Sequence, residues 1–252
     1  MDPADEYSVD TSITLRGPEL SEREITLQIT HHLKVGNNRK SQIVLANLKS
    51  GLLAGRDPKK TTVSRQSRLV AKFYDPKYAP QMAEWSDGPS GMCRWAKTNE
   101  THAYEKLTTV QGISTPVFYG EYVYESFYDG IRPVSVLILE YISHPMLTDH
   151  VFSHFTTQEL SELEAKANDT LNTIHGHGVY HNDIELHNIM YNRGSKELVL
   201  LDWADAGFDD VNYWCEWDIT KLEARRNELL KQMEKNDYAM LRDVIRQLES
   251  LH

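Results

Sequence analysis

The sequence predicts an α+β fold in two lobes: an antiparallel sheet carrying one helix, then a mainly α-helical half. Three observations predict it. Up to about residue 140, apolar residues alternate with polar ones in short runs, which is the period of half-buried strands. Thr156-x-x-Glu159 is a capping box, and helical spacing follows it. The length, 252 residues, favours one domain with two lobes over two independent domains.

Met1 to about Glu24 is acidic and polar with little periodicity, and reads as a mobile arm. Ile25, Leu27 and Ile29 alternate as a strand, Val35 to Lys40 is a turn, and Ile43 and Leu45 begin a second strand. Gly55 to Ser67 is basic and polar, a solvated loop or a docking patch for an anionic partner. Arg68 to Asp75 is a third strand, with Val70, Lys72 and Tyr74 on one face. A lysine among apolar neighbours needs an anionic partner if it is covered. A strand-edge lysine with its head in water is the other reading.

Pro76 to Gly91 is a Pro/Gly-broken connection under which Trp85 packs, and a helix follows from about Arg94 to Val110. Glu100, Ala103, Tyr104 and Leu107 share its buried face, whereas Glu105 falls with the threonines on the polar side. Gly112 and Pro116 end that helix. Val117 to Ser126 and Val134 to Glu140 form a hairpin around Asp129-Gly130. Leu160, Leu163, Ala167, Leu171 and Ile174 keep helical spacing up to Gly176. Ile219 to Met233 and Met240 to Leu251 read as two amphipathic helices, parted near Asn236-Asp237.

Val179 to Asp202 carries the chemistry. Asp183 and Asn188 sit five apart on a loop, and a hairpin then turns at Asn192 to Ser195 and ends at Asp202. The hairpin brings Asn188, before its first strand, near Asp202, after its second. One oxygen from each suits Mg²⁺, which takes one or two protein oxygens and leaves the rest of its shell to water and phosphate. Asp183 is free to act as a base.

His181-Asn182-Asp183 with Asn188 looks like the catalytic loop H-R-D-x-x-x-x-N of protein kinases, and Asp202 falls at the Asp of D-F-G. Val70-Ala71-Lys72 is similar to the strand-three V-A-I-K motif. The chain thus resembles the protein kinase-like superfamily over about Ile25 to Phe208. The resemblance implies a bilobal fold with an N-lobe at about 25–140, a helix C, a hinge at about 140–143 and a shortened C-lobe at 144–252. It implies ATP and Mg²⁺ as cofactors. Lys72, fixed by Glu100, would bind the α- and β-phosphates. Asn188 and Asp202 would hold Mg²⁺, and Asp183 would take the proton of an acceptor hydroxyl. Leu139 would be the gatekeeper, the backbone of Glu140 and Ile142 would meet the adenine edge, and Val35-Gly36 stand at the phosphate loop. His181 would brace the loop.

Departures point to a branch of that family. Val35-Gly36-Asn37-Asn38 has one glycine where several are usual, and Asn182 replaces the arginine of H-R-D. Trp203-Ala204 replaces Phe-Gly, and fifty residues follow Asp202. These features resemble the aminoglycoside and choline kinase branch. Ala103 to Leu107, Gln111-Gly112, Pro116 and Tyr119-Gly120 are most similar to the kinase-like domains abundant in fungi.

The implied function is transfer of the ATP γ-phosphate to a hydroxyl on a protein or small molecule. A nucleotide-binding pseudokinase acting as an interaction module is the alternative. Asp205, Asp209, Asp210 and Glu216 could receive a cationic acceptor, or form a solvated acidic loop. A net charge of -10 disfavours nucleic-acid partners. No apolar run is long enough for a bilayer. Two cysteines, Cys93 and Cys215, with no C-x-x-C suit a reduced cytoplasmic or nuclear setting, and a monomer is expected.

Overall fold

The alternating runs of the N-terminal half close on themselves. The computed structural model describes residues 2–17, 24–53, 67–81, 87–127, 130–147, 155–209 and 219–249. The chain divides into two units, Met1–Thr101 with Pro116–Tyr141, and His102–Thr115 with Ile142–His252.

The first unit opens with a one-turn helix α1 (Pro3–Glu6) and strands β1 (Ser12–Arg16), β2 (Glu24–Lys34), β3 (Gln42–Ser50) and β4 (Arg68–Tyr74). Helix α2 (Gly88–Lys106) runs from this unit into the second, and β5 (Phe118–Ser126) and β6 (Arg132–Glu140) return to the first. The six strands form a closed antiparallel barrel in the order β1-β2-β3-β4-β6-β5. Its interior is the inward half of each alternation: Ile25, Leu27 and Ile29 from β2, Leu69, Ala71 and Phe73 from β4, and Val134, Val136 and Ile138 from β6. Gly51 lies in the left-handed region at φ 92°, where a Cβ would stand 2.5 Å from the Glu24 carbonyl, so only glycine lets the end of β3 pass β2.

This barrel overturns the expected bilobal kinase-like fold with its antiparallel N-lobe sheet. Among the described residues there are four helices, one of them a single turn, beside the closed barrel. The cause lies in the segment read as a mobile arm. Ile13 and Leu15 of β1 face inward opposite Leu27 and Ile25. The other side of β1 joins β5 at Leu15↔Tyr124 and Arg16↔Val123, which removes both sheet edges.

A buried polar cluster ties the N-terminal segment down. Arg132 donates through Nε and Nη2 to Asp75 Oδ1 and Oδ2 at 3.1 and 2.7 Å, and through Nη2 to Glu6 Oε1 at 3.0 Å. Tyr7 donates to Asp75 at 2.7 Å, Tyr78 donates to Glu6 at 2.6 Å, and Ser126 donates to Glu6 as well. Burial, with the neighbouring carboxylates, pushes both phenols above their ordinary range, so they remain donors. Cys93 is buried too, and burial first and the Asp75 charge second push its thiol up to about 12.

The second unit holds helix α3 (Thr157–His175), short strands β7 (Val179–Tyr180), β8 (Ile189–Asn192), β9 (Glu197–Leu200) and β10 (Gly207–Phe208), and helix α4 (Ile219–Glu249). The capping box is present: the Thr156 hydroxyl accepts from the Glu159 N–H, and the Glu159 carboxylate accepts from the Thr156 N–H at 2.7 Å. That backbone bond first, and Arg193 second, hold the Glu159 carboxyl down at about 2. Where two C-terminal helices were expected, α4 is continuous. Helix α2 also stops earlier than Val110, at Lys106. A 3₁₀ turn at Thr108–Val110 follows, its Thr108 hydroxyl bonded to the Glu105 carbonyl at 2.7 Å. The basic run 54–66, Trp85 and Cys215 lie outside the described residues.

Candidate functional site

In the first unit, the side of β4 away from the barrel core carries Lys72 and Tyr74. The pairing Lys72↔Leu137 on one flank and Ile43↔Lys72 on the other places Lys72 mid-wall. Its amine is covered, with the residue 3% exposed, and Nζ donates to Glu100 Oε2 at 2.7 Å. Glu100 is fully buried on α2, and the Tyr74 phenol donates to the same Oε2. Glu105 is exposed. Helical spacing thus puts one carboxylate of the two on the buried stripe, and the lysine meets that one.

The turn after β2 is closed by a side chain. The Gly36 N–H donates to Gln42 Oε1 at 2.7 Å, and Gln42 Nε2 donates back to the Gly36 carbonyl at 2.9 Å. Gln42 is fully buried, and Val35 packs against the barrel core. The Gly36 N–H expected to approach a phosphate is therefore already spent on an amide. Leu139 pairs with Val70 and Phe118 and is buried. The Glu140 N–H donates to the Val117 carbonyl at 2.9 Å, so an adenine contact there would fall to the Glu140 carbonyl. Ile142 belongs to the second unit, whose longer segment it opens.

In the second unit, β7 pairs with β10 and brackets the segment from His181 to Ala206. Gly178, at φ 67°, admits the close approach of Asp209, whose carboxylate would collide with a Cβ. Within the bracket, β8 and β9 form a hairpin with Ile189 opposite Leu200. Both flanks of the hairpin are engaged. Leu147 N–H and the Ile189 carbonyl bond at 3.1 Å on one side, and the Leu200 N–H reaches the Ser114 carbonyl at 2.9 Å on the other.

The mouth of this hairpin gathers three of the expected residues. Leu201 N–H donates to the Asn188 carbonyl at 2.8 Å, which sets Asp202 one residue from that contact. Asn188 Nδ2 donates to the Asp183 carbonyl at 2.9 Å and to Asp183 Oδ2 at 3.0 Å. Those bonds assign the amide's orientation and turn Oδ1 away from Asp183. Asn182 and Asp202 stand in the left-handed region, at φ 60° and 63°. Asparagine and aspartate are the side chains that tolerate it most readily.

His181 is fully buried and uses both ring nitrogens. Nε2 donates to the Leu201 carbonyl at 2.9 Å, and Nδ1 accepts from the Asp183 N–H at 3.3 Å. Its ring lies 4.6 Å from that of Trp203, whose indole N–H reaches the Thr115 hydroxyl at 2.9 Å. One residue here was missed by sequence reading. Asp237 of α4 is fully buried; its Oδ2 accepts from the His181 N–H at 3.0 Å, its Oδ1 from the Asn182 N–H at 2.9 Å, and His175 Nε2 lies 3.0 Å from Oδ2. Asp237 shares a helical face with Leu241 and Val244, both buried. That spacing, rather than the break read at Asn236-Asp237, was the usable signal.

Of the acidic run, the Asp205 carbonyl accepts from Asn182 Nδ2 at 3.2 Å, and Asp209 lies 3.6 Å from Lys106. Asp210 and Glu216 lie outside the described residues. Among the described residues no group of three or more His, Cys, Asp or Glu side chains is gathered as for a metal ion, and no helix is long and apolar enough to cross a membrane. A magnesium site of one amide and one carboxylate oxygen needs no such group. No family model matches the chain, and no curated protein matches it.

Proposed function

We propose that the protein is an ATP-dependent phosphotransferase that moves a terminal phosphoryl group to a hydroxyl acceptor. The reading rests on site chemistry and not on the fold, which hosts no function by itself. The observation that carries it is the contact of Asn188 with Asp183 at the hairpin mouth, with the Asn188 carbonyl bonded to the N–H of Leu201, the residue before Asp202. The amide oxygen of Asn188 and the carboxylate of Asp202 are hard donors of the kind a small divalent cation takes, and Asp183 is a second carboxylate that could take a proton.

Mg²⁺ held by Asn188 and Asp202 would neutralise charge on the transferred phosphates. Asp183, oriented through the Asn188 amide and its own N–H on His181, accepts the proton of the acceptor hydroxyl. The first unit, taken by itself, offers Lys72, held by Glu100, as a cation that would suit a phosphate. The anchored ends of the segment 181–206 hold Asp183, Asn188 and Asp202 without a bound ligand, which is the preorganisation such transfer needs. ATP as the donor goes with a cytoplasmic location.

A second reading has one observation in its favour. With the Gly36 N–H spent on Gln42, the turn after β2 offers that N–H to no phosphate, which suits a nucleotide-binding module that transfers nothing. Titration of the full chain with ATP, with and without Mg²⁺, tests what the two readings share. Mg²⁺ is expected to tighten ATP, and Asp202→Asn to remove the Mg²⁺-dependent part. ATP affinity indifferent to Mg²⁺ and to Asp202 would remove the cation site from the account.

A further inference from the structure

Lys72 and Tyr74 donate to one and the same oxygen of Glu100. The three side chains are all covered: the lysine is 3% exposed, the tyrosine 2% and the glutamate 0%. The two donors stand at i and i+2 on β4, so the strand itself aims both at α2. The Lys72 ammonium also lies 5.5 Å from the centre of the Tyr74 ring.

This arrangement solves a problem that a buried lysine–glutamate pair creates for any ligand. A buried carboxylate whose partner is drawn away keeps its charge in a poorly solvated place, and that cost opposes the movement. A lysine locked to glutamate alone therefore resists turning toward a phosphate. A phenol on the same oxygen changes the balance, because a hydrogen bond to a charged acceptor is stronger than a neutral one and stays when the ammonium leaves. It also draws charge from the oxygen and weakens its hold on the lysine.

We propose that Tyr74 is a positioning residue: it shares the Glu100 oxygen with Lys72 so that the ammonium can serve a phosphate-bearing ligand without stranding a buried carboxylate. The ligand class rests on the phosphotransferase reading, whereas the sharing of the carboxylate does not. Tyr74 touches neither nucleotide nor acceptor in this role, and it acts through Glu100.

The test uses the full-length chain and Tyr74→Phe, which removes only the hydroxyl. In the unliganded protein, the rate at which trace acetic anhydride acylates the Lys72 amine is read by peptide mass spectrometry at one fixed pH. The rate is expected to fall severalfold in Tyr74→Phe, and the same change made in a Glu100→Gln background is expected to leave the rate as it was. A rate unchanged by Tyr74→Phe, or an equal fall without the glutamate's charge, would overturn the proposal.

A second arm compares Mg-ATP with adenosine. Tyr74→Phe is expected to weaken ATP about tenfold, the scale of one charge-assisted hydrogen bond, and to leave adenosine unaffected. Equal weakening of both would mark a merely structural tyrosine and overturn the proposal. Should the wild-type chain bind no ATP, the phosphotransferase reading fails, and the acylation rates still decide the role of Tyr74.

Discussion

Arg132→Met is expected to destabilise the protein by about 3–5 kcal/mol, the usual effect of removing one partner from a buried ion pair. Arg132 bonds to both Glu6 and Asp75, and both carboxylates are buried, at 2% and 1% exposure. Tyr7, Tyr78 and Ser126 add hydrogen bonds to these carboxylates but no positive charge. Lys77 adds an ion pair to Glu6 at 3.8 Å, longer than the Arg132 contact of 3.0 Å, and its backbone N–H donates to Asp75 Oδ1 at 3.0 Å.

Methionine fills much of the arginine's volume, so the loss isolates charge and hydrogen bonding from cavity formation. The segment joined through Glu6 and Tyr7 includes β1, so its amides should exchange faster well before global unfolding. Chemical denaturation reads the first effect and hydrogen exchange over residues 2–17 the second. Adding Glu6→Gln and Asp75→Asn to Arg132→Met should recover part of the loss, because the stranded charges go with their partner. A loss of stability below about 1 kcal/mol would mean that solvent already reaches the carboxylates.

Asp237→Ala is expected to cost about 3 kcal/mol and to loosen the segment that carries Asp183. Each buried donor left without an acceptor costs about 1–3 kcal/mol. The alanine strands the His181 N–H, which is buried, the Asn182 N–H, which water can partly reach, and the His175 ring. Asp237→Asn keeps one acceptor oxygen and should lose about half as much. The amides of His181 and Asn182 should exchange faster in both variants, more so in the alanine. On the phosphotransferase reading, transfer should fall further than ATP affinity, because the Asp237 contacts at His181 and Asn182 adjoin the base Asp183 and lie farther along the chain from Asn188 and Asp202. Exchange at those two amides unchanged from wild type would contradict the role given to Asp237.

Local pattern told much of this structure. Alternation marks β2, β4 and β6, and the capping box at Thr156 marks the start of α3 to the residue. Helical spacing alone separates buried Glu100 from exposed Glu105. The hairpin of β8 and β9 is readable because its turn residues and its strands lie side by side in the chain. What escaped is long-range. β1 has two inward residues within an acidic stretch, and nothing local says that it will pair with β5, more than a hundred positions away. That one pairing turns an expected sheet into a barrel.

Two further residues escaped for related reasons. Gln42 is an ordinary strand residue in sequence, and only the fold of the turn brings its amide onto Gly36. Asn236-Asp237 looked like a helix break because both residues favour turns over helix interiors. Packing prevailed: a buried carboxylate with three donors offsets a poor helix propensity of a few tenths of a kcal/mol.

The central claim is that Asp183 takes a proton while a phosphoryl group moves. Loss of the γ-phosphate from labelled ATP, followed with the full chain, Mg²⁺ and a panel of hydroxyl acceptors, tests it most directly. Turnover is expected in the wild type, and Asp183→Asn should lower it about 10²- to 10⁴-fold with ATP affinity kept. Equal turnover in the variant, or ATP bound by the wild type and never consumed, would contradict the account.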